Sequence, residues 1–282
     1  MSSLRRRVPT AVIYAVLVLG AVALRPAGLA VWALFAALAY LEFARLVGAS
    51  APGGTMLVLG FWAAHATSFM PFPGPAPLFL AGLAVLLLEL LLGGLHGTRP
   101  PDVGRGRRPD WPRRALWTLG GAVWIGGLLS YLVDLGVAGA AGTQAAPGWP
   151  VWLLLALVLT WAADIAAYAV GSLWGSRPLA PRISPGKTWE GTCAGFAAAA
   201  VVALVFAAGA GLPPASAVIV AVLAGPAALG GDLAESALKR RVGVKDSGSL
   251  LPGHGGMLDR IDSLIGVAPV VAFALAVSAG AV

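Results

Sequence analysis

Apolar runs of about twenty residues recur along this chain, separated by short segments that hold nearly all of its charge. A helix of that length crosses ~30 Å of hydrocarbon. In lipid, a helix is one of only two ways to satisfy every backbone N–H and C=O. Charged residues make up 11% of the 282, against about 25% in soluble domains, and mean hydropathy is +0.85. The sequence therefore predicts an all-α, polytopic integral membrane protein with about nine transmembrane helices. The expected spans are 9–25, 27–47, 54–71, 76–96, 115–138, 150–173, 189–211, 214–238 and 263–282. The basic start Arg5-Arg6-Arg7 is followed by a poor cleavage site, Leu24-Arg25-Pro26, and by further spans, so the first run is expected to stay.

Lys and Arg placement orients these spans. With the N-terminus in the cytoplasm, eighteen of the nineteen cations fall inside, with Arg25 the exception. The loops 139–149 and 211–214 carry no charge, as external loops should. The net charge of +7 is thereby explained without nucleic acid, which is not an expected partner. The Arg-rich loop 97–114 reads as a cytoplasmic linker near anionic headgroups. Residues 1–145 then form N-terminal and middle transmembrane helices, and residues 146–282 a C-terminal catalytic region. The single cysteine, Cys193, excludes an intramolecular disulfide and is expected to be a small buried hydrophobe.

Carboxylates in a membrane are costly and need a reason. Glu42 ends the second span at the expected cytoplasmic interface. Asp134 lies near an external end, Asp102 and Asp110 stand beside loop arginines, and Glu89 has no assigned role. The rest gather around two cytoplasmic segments. The first holds Asp164 and Tyr168, four apart on one helix face, then Ser184-Pro185-Gly186-Lys187-Thr188 leading into Glu190. Small residues with a Lys and a Thr at a helix N-terminus offer N–H groups and a cation to a phosphate. An ordinary capped loop fits that segment equally well.

The second segment is denser. Asp232, Ser236, Lys239 and Arg240 share one helix face. Lys245-Asp246 follow, then Pro252-Gly253-His254-Gly255-Gly256, then Asp259-Arg260-Ile261-Asp262. Asp232 and Asp259, on different helices, suit a hard cation such as Mg²⁺, which takes carboxylate and phosphate oxygens. Lys239, Arg240, Lys245 and Arg260 suit phosphates. Glycines flanking His254 let backbone approach a ligand. Orientation alone requires a few cations, not five carboxylates within 232–262. These are the parts of metal-assisted phosphoryl chemistry.

The run from Ser236 through Lys239-Arg240, Lys245-Asp246 and Leu251-Pro252-Gly253-His254-Gly255-Gly256-Met257-Leu258-Asp259-Arg260-Ile261-Asp262 resembles the signature of phosphatidate cytidylyltransferases (CDP-diacylglycerol synthases). Asp164-x-x-x-Tyr168, Ser184-Pro185-x-Lys187-Thr188-x-Glu190-Gly191, Leu4-Arg5-x-Arg7 and Glu42-Phe43 are similar to that family as well. The resemblance implies transfer of CMP from CTP to phosphatidic acid, giving CDP-diacylglycerol and pyrophosphate. It implies Mg²⁺ on Asp232 and Asp259, with a monovalent cation such as K⁺ sharing the pair. It implies Lys239, Arg240, Lys245 and Arg260 on phosphates, and Asp246, His254 and Asp262 shaping the pocket. Ser184, Lys187, Thr188, Glu190, Ser236, Gly255 and Gly256 would contribute to the same substrate cavity, with Asp164 a less certain member. It also implies a two-fold homodimer, while the Lys and Arg distribution predicts a site facing the cytoplasm and the Arg-, Gly- and Ala-rich composition a bacterial source, hence an inner membrane.

Two other readings share these residues. One is a CTP-dependent kinase, or a cytidylyltransferase, for another lipid such as a polyprenol. The other is a transporter with a carboxylate relay, disfavoured by clustering at one membrane face rather than at the midplane.

Overall fold

The computed structural model describes residues 2–24, 26–66, 80–85, 87–88, 111–138, 151–253 and 255–278. The chain runs through α1 (Ser2–Ala23), α2 (Pro26–Val47), α3 (Ala51–Ala66), α4 (Trp111–Gly121), a π-helical turn (Ala122–Gly127) and α5 (Tyr131–Ala138). It continues through α6 (Val151–Trp174), β1 (Pro178–Ala180), β2 (Ser184–Thr188), α7 (Trp189–Ala210), α8 (Pro214–Arg241) and α9 (Leu258–Ser278).

The helical membrane class matches the expectation, and the count of nine is not confirmed. Among the described residues six helices are long and apolar enough to cross a bilayer: Gly28–Val47, Pro112–Gly136, Val151–Trp174, Trp189–Ala210, Pro214–Arg241 and Leu258–Ser278. The expected third span is a shorter helix, α3. Most of the expected fourth, 76–96, lies outside the described residues, as do residues 97–110 of the expected loop 97–114, Glu89 and His254, while 111–114 open α4.

Two boundaries moved, and both matter for the site. The last helix starts at Leu258 rather than at 263, which places Asp259 and Asp262 inside it. Ser184–Thr188, expected as a turn, is a strand paired antiparallel with β1, with Pro178 opposite Thr188 and Ala180 opposite Ser184. The hairpin gives backbone partners to a segment that leaves one helix and enters the next. Thr188 then caps α7 by accepting from Gly191 N at 3.2 Å.

Packing follows membrane rules, in which small residues admit close backbones. A Cβ at Gly231 on α8 would overlap the Asp262 carbonyl of α9, and one at Gly266 on α9 would overlap the Ala227 carbonyl of α8. These two glycines seat α8 and α9 together. Large aromatic and aliphatic side chains, among them Trp32, Tyr40, Phe43, Leu155 and Ile261, fill the interior. Val201, Leu204 and Val205 on α7 and Val218 and Val222 on α8 are exposed, as a lipid-facing surface requires. Cys193 is exposed on α7 rather than buried. Glycine at 195, not the cysteine, meets α6 backbone.

Candidate active site

The C-terminal end of α8 and the N-terminal end of α9 carry most of the candidate residues. Glu235 and Lys239 are four apart on α8, so they face the same way. Lys239 Nζ lies 2.6 Å from Glu235 Oε2 and 2.6 Å from Asp259 Oδ1. One ammonium thus bridges the two helices. Glu235 is fully buried, and among the described residues its Oε1 has no hydrogen-bond partner. The other oxygen of Asp259 gathers the loop between the helices. Asp259 Oδ2 accepts from Ser247 N at 2.9 Å and Gly256 N at 2.7 Å. The Ser247 hydroxyl has one proton and stands between two carboxylates, 2.9 Å from Asp259 Oδ2 and 3.0 Å from Glu42 Oε2.

The loop turns back through Gly253 (φ 79°) and Gly255 (φ 81°), both left-handed. Leu251 N donates to the Gly255 carbonyl at 2.9 Å. A Cβ at Gly255 would lie 2.5 Å from Asp259 Oδ2. A side chain there meets both a conformational cost and the carboxylate. Gly255→Ala is therefore expected to cut turnover by about tenfold or more, since small misplacements of reacting groups are costly. A steady-state assay showing turnover within twofold of wild type would mean the loop backbone is not set by Asp259.

A second arrangement forms the wall of a cavity of about 250 Å³ between α6, α7 and α8, lined by Asp164, Tyr168, Lys187, Thr188, Phe196 and Asp232 among others. Lys187 Nζ pairs with Asp232 Oδ2 at 2.6 Å. Ser236 Oγ donates to Asp232 Oδ1 at 3.2 Å. Asp262 interacts electrostatically with Asp232 and Asp164, and its Oδ1 accepts from Ser263 N at 2.7 Å.

The remaining candidates divide between supports and exposed groups. Arg240 donates to the carbonyls of Ile183 and Val244, each at 3.2 Å, tying the hairpin to α8. Glu190 accepts from Ser176 Oγ at 2.7 Å and from the N–H groups of Ser176 and Arg177. It fastens the base of the hairpin and is not among the cavity-lining residues. Ser184 opens β2. Lys245, Asp246 and Arg260 are exposed beside the loop, and the Arg260 carbonyl accepts from the Tyr14 hydroxyl at 3.5 Å. His254 lies outside the described residues.

Sequence reasoning placed Glu42 at the membrane interface. The structure buries it, at 5% exposure, against the loop. The signal was present: a carboxylate set inside the apolar run Ala-Tyr-Leu-Glu-Phe-Ala.

The family model described as "Cytidylyltransferase family" matches residues 5–278. The chain belongs to that family. Curated relatives named phosphatidate cytidylyltransferase include one from Haemophilus influenzae, 44% identical over 130 residues, covering 42% of this chain and 43% of the relative. One from Pseudomonas aeruginosa is 42% identical over 144 residues, covering 44% and 48%. One from Bacillus subtilis is 40% identical over 157 residues, covering 55% and 56%. The chain spans about half the length of the curated relatives it matches.

Proposed function

We propose that this family member is a phosphatidate cytidylyltransferase: it transfers CMP from CTP to phosphatidic acid, giving CDP-diacylglycerol and pyrophosphate. The observation that carries the reading is the pairing of two lysines with two carboxylates, Lys187 with Asp232 in the wall of the cavity and Lys239 with Asp259 between α8 and α9. Family membership and the names of the relatives support the cytidylyl chemistry. A bilayer setting supports a lipid substrate whose chains remain in the membrane. The inner-membrane location and the cytoplasmic aspect of the site rest on the distribution of Lys and Arg.

In the proposed step an oxygen of the lipid phosphate attacks the α-phosphorus of CTP. A new P–O bond forms there, the bond to the β-phosphate oxygen breaks, and pyrophosphate leaves with the electron pair. The nucleophile is already anionic, so no base is required. What the chain must supply is position and positive charge around the developing negative charge.

Asp232 and Asp259 are the proposed ligands of Mg²⁺. Each holds a lysine ammonium at 2.6 Å, so both are sites where a cation is electrostatically welcome. Among the described residues no three His, Cys, Asp or Glu side chains form a ready-made metal cage. That fits an ion held by one or two carboxylates together with water and substrate phosphates. Mg²⁺ there would neutralise charge on the phosphates. Lys187 and Lys239 would then turn from the carboxylates to phosphate oxygens. A monovalent cation at the same pair and a two-fold dimer belong to the proposal as family expectations.

Lys187→Ala is expected to lower kcat/KM by about 10²-fold, the scale of removing one charge-stabilising donor. An unchanged value would take Lys187 away from the phosphates. The reading as a whole is tested with purified protein, CTP, phosphatidic acid and Mg²⁺. Formation of CDP-lipid with release of pyrophosphate supports it, and absence of both sinks it.

A further inference from the structure

We infer that Glu42, on α2 far from the signature segment in sequence, is a positioning residue for the loop 242–257 and for the start of α9. The inference deepens the proposed function and rests on that loop serving the reacting groups. Three observations carry it. Glu42 Oε2 accepts from Leu258 N, the first residue of α9, at 2.9 Å, and lies 3.0 Å from the Ser247 hydroxyl. A carboxylate at a helix N-terminus completes an orphan N–H and complements the helix dipole; here it comes from another helix 216 residues away. Second, Glu42 is buried, and among the described residues it makes no ion pair with a cation. Its partners are N–H and O–H groups of the loop. Third, a Cβ at either Gly248 or Gly256 would collide with the Glu42 carboxyl group. The loop wraps this carboxylate closely on two sides, and only glycine leaves it room.

Glu42 therefore does not reach substrate. It works through Leu258 N and through Ser247, which also binds Asp259 Oδ2. Two carboxylates, one from each half of the chain, hold one loop in one conformation. Asp259 sets its relation to Lys239, and Glu42 sets its depth against α2.

The test uses the full chain in nanodiscs, with Glu42→Gln as the main variant. It keeps the shape and removes the charge. Expected are a kcat about 10²-fold lower, a KM for CTP within about threefold, and faster amide hydrogen exchange confined to 247–258. Glu42→Asp keeps the charge on a shorter stem and is expected to recover part of kcat relative to Gln. If Glu42→Gln does not insert, Glu42→Asp is compared with wild type on the same measurements. Wild-type kcat and exchange in the folded variant would overturn the inference. So would exchange that rises equally in α6 and α7, because that describes general loosening. The exchange arm does not depend on the reaction. Wild-type protein without CDP-lipid formation, together with loop exchange that responds to Glu42, overturns the proposed reaction and upholds the positioning role.

Discussion

Asp259→Asn is expected to lower turnover by about 10³-fold or more while the protein remains inserted and folded. Asp259 Oδ1 faces the Lys239 ammonium, and Oδ2 takes two backbone N–H groups and shares a hydroxyl. An amide keeps the size but loses the charge, and it presents an NH₂ to donors on one side or the other. Loss of one preorganised charge partner at a reacting centre costs ~10²–10³ in rate, and this residue is also a proposed metal ligand. Folding should survive because Lys239 keeps Glu235 at 2.6 Å. The measurement is turnover beside thermal unfolding in detergent. Turnover within tenfold of wild type in a folded protein would remove Asp259 from the reacting centre.

Lys239→Met has the largest expected effect on stability. Lys239 is the cation that Glu235 pairs with, and Glu235 is fully buried with its other oxygen unpartnered. Removing one member of a buried pair costs ~3–5 kcal/mol because the survivor stays buried without its partner. Lys239→Met should therefore unfold at a clearly lower temperature. Adding Glu235→Gln replaces the unpaired carboxyl with a neutral amide and should restore part of the lost stability. Asp259 then still has its loop donors. Turnover should stay low in both variants. A single variant as stable as wild type, or a double variant no better than the single, would contradict this account of the bridge.

Much of the architecture was legible in the sequence because lipid leaves few options. Apolar runs that contain few charges become helices, and α2, α6, α7 and α8 lie within a few residues of their expected positions. Periodicity did not reveal the start of α9. Asp259-Arg260-Ile261-Asp262 is polar and reads as loop, yet its first turn is stabilised by contacts made from outside it. Glu42 supplies one of these, accepting from Leu258 N, and Lys239 another, pairing with Asp259, so tertiary partners override local polarity. The hairpin β1–β2 was hidden for a similar reason. Its residues, Pro-Leu-Ala and Ser-Pro-Gly-Lys-Thr, have no strand pattern, and the strands form because two helix ends hold their termini close.

At the site, spacing placed Asp232, Ser236, Lys239 and Arg240 on one face of α8, and the structure gives that face its partners. Spacing carries no information about partners from distant helices. Lys187 on Asp232, Asp259 on Lys239, and Glu42 on Ser247 each join residues that no local pattern connects. Arg240 and Glu190 illustrate the same limit. Both read as substrate ligands from a resemblance, and in the structure both hold the hairpin.

The proposed reaction is CMP transfer onto a lipid phosphate at the Asp232–Asp262 segment. It is tested most directly with CTP carrying radiolabel at the α-phosphate or at the γ-phosphate, incubated with purified protein, phosphatidic acid and Mg²⁺. α-Label is expected to enter the lipid fraction and γ-label to leave as pyrophosphate. Label from the γ-phosphate in the lipid, with CDP released, would instead show a CTP-dependent kinase and contradict the account.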